Sequence, residues 1–203
     1  DIEVQALVKL LNRKRQAIHA NVKLSIPVGG LHEMDNTPMR MNTILAYPMQ
    51  LGSGTYDPTL GLTYLGLKQN VSWGAQLNYT MRLVDNHHYY RLGNALYSTA
   101  WLAGKATHNI SCSARLLFNQ TEKISGADPV FDPMLMPLFS AANSGRTQLD
   151  GAIGVNYLID SGKLKDLRLG IEGYYPLFQN VNGVQMAQEW TGVVGIQYGF
   201  GGH

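Results

Sequence analysis

Methionine and histidine are the residues whose chemistry and distribution stand out in this chain of 203 residues. Seven of the eight methionines lie outside the segments that show a strand pattern. Thioether and imidazole groups are soft or borderline metal ligands, and the thioether favours Cu(I). The first long segment without a strand pattern therefore contains candidate copper ligands, which are His32, Met34, Met39, Met41 and Met49. The alternative is that no cofactor binds and that flexible methionines fill gaps where long loops pack.

Charged residues at alternating strand positions form a second group. They share the parity of polar neighbours, and they are Lys23, Arg82, Arg115, Asp150, Arg168 and Glu172. Successive side chains of a strand point to opposite faces, so these residues are predicted to lie on one polar face. Inside a membrane barrel, such charges either pair and seal the interior or line a water-filled lumen. Both alternatives stay open, and in the second the slight excess of cations predicts a weak preference for anions.

Motifs for catalysis are weak, and we expect no enzyme activity. The stretch LGSGT (51–55) has too few glycines for a phosphate loop and lacks its lysine. No G-x-S-x-G elbow occurs. Ser53 with His87 or His88 could resemble the pair of a barrel lipase, but such pairs arise by chance in a chain with this many serines and histidines.

Long alternating segments are the elements that position these side chains. Alternation extends over 16–28 and, without a fault, over 71–83. A membrane-spanning strand needs about 9–11 residues, whereas strands of soluble proteins are usually about five or six. Weaker alternation occurs at 58–67, 91–104, 109–118, 149–159, 166–176 and 189–200, and at 1–11, where a short helix is the alternative to a strand.

The connections between these segments alternate between short and long, which is typical of outer-membrane barrels with short periplasmic turns. The segments 29–57 and 119–148 are predicted to be long extracellular loops. Bacterial single-chain barrels have even strand numbers. A ninth strand at 1–11 would give an odd number, so we expect the chain to be truncated at its N-terminus.

Composition excludes several classes. Charged residues make up 15% of the chain, below the usual quarter or so, and there are 22 glycines. The net charge of +2 gives no basis for nucleic-acid binding. Cys112 alone cannot form an internal disulfide or a cysteine-rich zinc site. No apolar stretch is long enough for a membrane helix.

Several short stretches resemble a known family. They are LSIPVGG (24–30), YPMQLGSGTYDPTLGLTYLG (47–66), SWGAQ (72–76), YRLGN (90–94), EGYYPLFQNVNGVQM (172–186) and the closing strand. They resemble the Gram-negative outer-membrane transporter family named for the meta-pathway of phenol degradation. The resemblance implies a barrel of about a dozen strands, of which this chain is the C-terminal part. It also implies uptake of small, often hydrophobic molecules, and it supplies no catalytic residue.

The sequence therefore predicts an all-β protein with a single domain over 1–203. The expected fold is a transmembrane antiparallel up-and-down β-barrel with eight or nine strands in this chain. The expected function is a porin-like channel of the bacterial outer membrane, whose partners are the lipid bilayer and a small-molecule solute. The alternatives are a non-conducting barrel whose loops bind copper or a partner protein, and a soluble β-sandwich. The oligomeric state is left open.

Overall fold

One antiparallel sheet of nine long strands dominates the computed structural model, which describes residues 1–36, 41–162 and 164–199. Each strand pairs with the strands before and after it in the sequence. The strands are β1 (Ile2–Arg13), β2 (Gln16–Ile26), β3 (Asp57–Lys68), β4 (Val71–Thr80), β5 (Ala95–Lys105), β6 (Ile110–Thr121), β7 (Arg146–Leu158), β8 (Leu167–Val181) and β9 (Thr191–Tyr198). The all-β prediction is confirmed, and the segment 1–11 is a strand rather than a helix.

Helical structure in the described ranges is limited to three single 3₁₀ turns, Tyr47–Met49, Pro137–Phe139 and Ala141–Asn143. No helix in these ranges is long and apolar enough to cross a bilayer. The nine strands therefore provide almost all of the regular structure that positions the side chains.

Two strand boundaries differ from the prediction by four or five residues, and β4 ends at Thr80 rather than at 83, so Arg82 lies just beyond the strand. β8 continues five residues beyond the predicted end at 176, because Leu177 is an extra residue opposite the Leu149–Asp150 step and reverses the parity after it. Residues 91–94 do not belong to β5. Tyr90–Arg91 pairs instead with Ser125–Gly126, outside the main sheet.

Short and long connections alternate along the chain, as predicted. The short connections are 14–15, 69–70, 106–109 and 159–166, and the long ones are 27–56, 81–94, 122–145 and 182–190. Because neighbouring strands are antiparallel, all short connections lie at one end of the sheet and all long ones at the other. We call these the turn end and the loop end.

The two faces of the sheet have the reverse of the polarity expected in a soluble protein. On the apolar face, Ile153 is 77% exposed and Ile196 is 73% exposed. On the polar face, Thr99 and Asp150 are each only 3% exposed. Soluble proteins bury aliphatic side chains and leave most polar ones in water. A flat sheet would expose both faces, so burial of the polar face indicates that the sheet curves around it.

Glycines on the polar face let side chains from next-but-one strands meet. Asn21 Nδ2 on β2 donates a hydrogen bond to Asn78 Oδ1 on β4 at 2.8 Å. Gly61 on β3 lies between them, and a Cβ there would collide with both amide side chains. On the adjacent strands β4 and β5, the Trp101 indole lies over Gly74, which is directly opposite. The polar face is therefore closely packed.

The sheet is open at both edges in the described part of the chain. β1 and β9 each pair with a single neighbour, and they do not pair with each other. Both strands run from the loop end to the turn end, because an even number of strand-to-strand steps separates them.

Candidate functional site

An apolar core lies in the loops rather than in the sheet. Its buried members are Ala46, Tyr47, Tyr90, Phe131 and Phe139, which come from three different long connections. The Tyr47 ring meets Tyr90 and Phe131 edge-on, with ring centroids 4.8 and 4.5 Å apart. Phe131 stacks on Phe139 at 4.9 Å. We call this cluster the loop core, and it joins three of the four long connections into one folded cap at the loop end.

Polar contacts fasten the loop core. The Asp128 backbone N–H donates to Tyr47 Oη at 2.9 Å, and the Asp128 carboxylate lies 2.9 Å from His88 Nδ1. The His32 ring stacks on His88 with centroids 5.5 Å apart. Burial raises the pKa of both Tyr47 and Tyr90 above the usual tyrosine value. The neutral phenols are therefore favoured in the folded cap.

A cavity of about 660 Å³ lies between the cap and the loop end of the sheet. Its apolar wall comes from Tyr47, Met49, Leu92, Ile124, Leu138 and Met186. Its polar wall includes Arg82, Glu122, Asn143 and Gln185, and it reaches the strand ends at Ala95 and Thr121. A small molecule entering from the loop end would therefore meet a mixed apolar and polar chamber before it reached the polar face.

An ion pair lies at the wall of this cavity. The Arg82 side chain, which is 19% exposed, pairs with Asp57, whose side chain is 0% exposed. The Thr55 hydroxyl donates to the other carboxylate oxygen of Asp57 at 2.7 Å. Burial lowers the pKa of the Arg82 guanidinium, and the charge of Glu3 opposes this shift. The Arg82 Nε atom is buried without a hydrogen-bond partner. Asp57 is therefore the main compensation for this partly buried cation.

A second ion pair crosses the polar face at mid-strand. Arg115 Nε donates to Glu172 Oε1 at 2.9 Å, and Tyr174 Oη donates to Glu172 Oε2 at 2.7 Å. Gly154 on β7 lies between the two strands that carry these groups, and its missing side chain leaves the space. The Arg115 guanidinium also lies 5.8 Å from the Trp101 ring centroid. These residues fill part of the interior with a connected polar network.

The six predicted polar-face residues are thus divided. Arg115 and Glu172 pair with each other, Arg82 pairs with Asp57, and Lys23 pairs with Glu3 at 2.8 Å. Asp150 is buried and accepts a hydrogen bond from Gln148 Nε2 at 2.8 Å, whereas Arg168 is exposed near the turn end. Three of the four predicted cations are thus paired with a carboxylate, and the choice between a sealed interior and a water-filled lumen stays a prediction.

The acidic partners of Arg82 and Lys23, which are Asp57 and Glu3, were not predicted from the sequence. Asp57 is the first residue of β3 and has the parity of Thr59, so beginning that strand one residue earlier would have placed it on the polar face. Glu3 lies opposite Ser25 and has the same parity as Lys23 across the sheet. No pattern within one segment indicated either pairing.

The predicted copper ligands all belong to the first long connection, 27–56. Met34 is in a two-residue strand and Met49 lines the cavity, each about half exposed, while Met41 is 77% exposed. Met39 lies outside the described residues. Within the described ranges, no group of three or more His, Cys, Asp or Glu side chains is arranged to hold a metal ion. Copper binding by the methionines and His32 stays a prediction.

The stretch LGSGT has a structural explanation. Gly29 and Gly52 pack backbone against backbone, and a Cβ on Gly29 would lie 2.8 Å from the Gly52 Cα atom. The Asp1 carboxylate accepts hydrogen bonds from the Gly29 N–H at 3.0 Å and from the Ser53 N–H at 2.9 Å. The buried Ser53 hydroxyl contacts Asp1 and the Thr55 carbonyl. These contacts fix the long connection 27–56 to β1.

Comparison with known proteins does not assign this chain to a family. No protein-family model matches the chain, and no curated protein sequence matches it. The resemblance found in short stretches of the sequence therefore stays a prediction.

Proposed function

We propose that this chain forms a transmembrane β-barrel of the bacterial outer membrane and conducts small solutes through its polar interior. The observation that carries the proposal is the reversed polarity of the sheet, whose aliphatic face is exposed and whose polar face is buried. Removing apolar surface from water contributes about 25 cal/mol per Å². An apolar face of nine strands is therefore unfavourable in water and favourable against acyl chains.

Strand length supports the same environment. Eight of the nine strands have ten or more residues, and β9 has eight. A tilted strand needs about 9–11 residues to cross a bilayer. Within the sheet, the backbone groups pair between strands, which satisfies the requirement that no lipid-exposed polar backbone group be left unpaired.

A barrel built from this sheet must also close its two open edges. Lipid tolerates no unpaired strand edge, so β1 and β9 must each acquire a partner. These two strands run in the same direction, so pairing them directly would be parallel. We infer that an odd number of further strands lies between them. The total is then even, as in bacterial single-chain barrels.

Orientation follows from the connections. In such barrels the short turns face the periplasm and the long loops face outward. The connections 27–56 and 122–145 are then extracellular, and the loop core lies over the entrance. Solutes diffuse through the cavity and past the polar face, and the cap restricts their access. Because Lys23, Arg82 and Arg115 are each paired with a carboxylate, we expect little selectivity for ion charge.

Planar-bilayer conductance of the purified protein tests the proposal, with Phe131→Ala as the informative variant. Truncating a buried phenylalanine costs about 3–5 kcal/mol. We therefore expect the wild type to conduct in discrete steps and Phe131→Ala to spend a larger fraction of time open. Met134→Ala is the matched control, since Met134 is in the same loop and is 92% exposed. It should conduct like the wild type.

Two results would contradict this function. If protein that is inserted in the bilayer carries no current, in either the wild type or Phe131→Ala, the barrel is non-conducting. If Phe131→Ala and Met134→Ala both conduct like the wild type, the loop core does not restrict access.

A further inference from the structure

A groove with an unusual combination of residues lies at the turn end of the sheet. Three consecutive basic residues are exposed there, namely Arg13 at the end of β1 and Lys14 and Arg15 in the turn to β2. They line a cavity of about 380 Å³ together with Gln16, Ala17, Leu65, Gly66, Leu67, Ser72, Trp73 and Trp101. The groove therefore brings clustered positive charge to the border of an exposed apolar surface.

Strand register places one wall of the groove on the apolar face, whereas Leu65 and Trp101 on the other wall have the parity of the polar face. Arg13 lies opposite Gln16, Gln16 opposite Gly66, and Gly66 opposite Trp73. This row crosses four strands, and directly opposed residues point to the same face. Trp73 has the parity of Leu77, which is 48% exposed. One wall of the groove is thus continuous with the apolar surface.

The glycine creates the space, and the tryptophan forms its floor. The Trp73 indole lies over Gly66, where a Cβ would be 2.6 Å from the indole Cζ2 atom. The turn is held against β3, because the Leu67 N–H donates to the Arg15 carbonyl at 2.9 Å. Two residues after Gly66, Lys68 adds a further exposed cation on the same parity. The site is thus held by backbone pairing on both sides.

The cations of this groove differ from those of the loop end in having no acidic partner. Lys23, Arg82 and Arg91 each form an ion pair with a carboxylate near the loop end. In the described part of the chain, no carboxylate lies within ion-pair distance of the basic turn at 13–15 or of Lys68. The charge is left available to an external anion.

We propose that this groove binds the headgroup of an anionic phospholipid, with the phosphate at the basic turn and the acyl chains along the neighbouring apolar face. The inference rests on the proposed membrane function. Arginine forms bidentate hydrogen bonds with phosphate, and tryptophan is enriched at the membrane–water interface, where its ring is apolar and its N–H is polar. Basic residues beside a membrane attract anionic lipid in the same way.

Binding of short-chain lipids to the detergent-solubilised protein tests the site. We expect dioctanoyl phosphatidylglycerol to bind and dioctanoyl phosphatidylcholine to bind at least tenfold more weakly. The variant Arg13→Gln/Lys14→Gln/Arg15→Gln should bind phosphatidylglycerol about 100-fold more weakly at low salt, roughly fivefold for each charge. Trp73→Phe keeps an aromatic side chain but removes the indole N–H, so it should weaken binding about tenfold.

The matched control is Lys105→Gln/Lys165→Gln/Arg168→Gln, which removes three cations from the same end but outside the groove. It should leave phosphatidylglycerol binding unchanged. The proposal is overturned if this control weakens binding as much as the groove variant, or if the two lipids bind equally. It is also overturned if glycerol 1-phosphate binds as tightly as phosphatidylglycerol, which would indicate a site for soluble phosphate.

Liposome insertion separates failure of this site from failure of the proposed function. If the wild type inserts and conducts but shows no preference for phosphatidylglycerol, only the lipid site is wrong. If the wild type does not insert into liposomes of either lipid, the membrane function and the lipid site are both wrong.

Discussion

Replacing Ile153 by arginine is expected to lower the free energy of unfolding in lipid bilayers by about 2–4 kcal/mol. Ile153 lies in the middle of β7 on the apolar face and is 77% exposed. In the proposed barrel it contacts acyl chains near the middle of the bilayer, where a charged side chain is most costly. Urea titration of the protein in liposomes, followed by tryptophan fluorescence, measures the change.

Asn156→Arg is the matched control, because Asn156 is on the same strand and has the opposite parity. It faces the polar interior, so the same substitution should change the free energy of unfolding by less than about 1 kcal/mol, since lumen substitutions mainly alter selectivity. If Ile153→Arg is as mild as Asn156→Arg, the apolar face does not contact lipid.

Replacing Asp57 by alanine is expected to cost about 3–5 kcal/mol of stability, because it leaves the largely buried Arg82 guanidinium, 19% exposed, without its carboxylate. Asp57 is fully buried, and the remaining contacts do not satisfy Arg82 Nε. The double variant Asp57→Leu/Arg82→Met removes both charges and should recover most of that loss. The same urea titration in liposomes compares the variants.

An exposed ion pair provides the control for Asp57. Asp85 lies 2.9 Å from Arg91, with side chains 51% and 40% exposed, respectively. Exposed pairs contribute about 0–1 kcal/mol, so Asp85→Ala should be nearly neutral. If Asp57→Ala is equally mild, the Arg82 charge is hydrated in the folded protein, and the interior beside the cavity is wetter than its burial indicates.

Alternation in the sequence was sufficient to find all nine strands, because each strand has one apolar and one polar face. It was insufficient where the backbone changes parity within a strand. The bulge at Leu177 ended the visible pattern of β8 at 176, although the strand continues to Val181. Alternation also continued into 91–94, where Gly93 packs against the Glu122 backbone and the chain is outside the sheet.

The site was less predictable than the sheet, because its contacts join distant segments. Tyr47 and Phe131 are 84 positions apart, and nothing local to either indicates that their rings lie 4.5 Å apart. The polar parity of Arg115 and Glu172 was visible in the sequence. Their pairing was not, because the two residues are 57 positions apart on strands separated by β7.

Quenching of tryptophan fluorescence by lipids brominated in the acyl chain tests most directly whether the aliphatic face contacts lipid. Two variants in liposomes are compared. One carries Ile153→Trp with Trp73, Trp101 and Trp190 replaced by phenylalanine, and the other retains only Trp101, which lies on the polar face over Gly74. Strong quenching at position 153 with little at Trp101 is expected. Equal quenching, or quenching at Trp101 alone, would contradict the account.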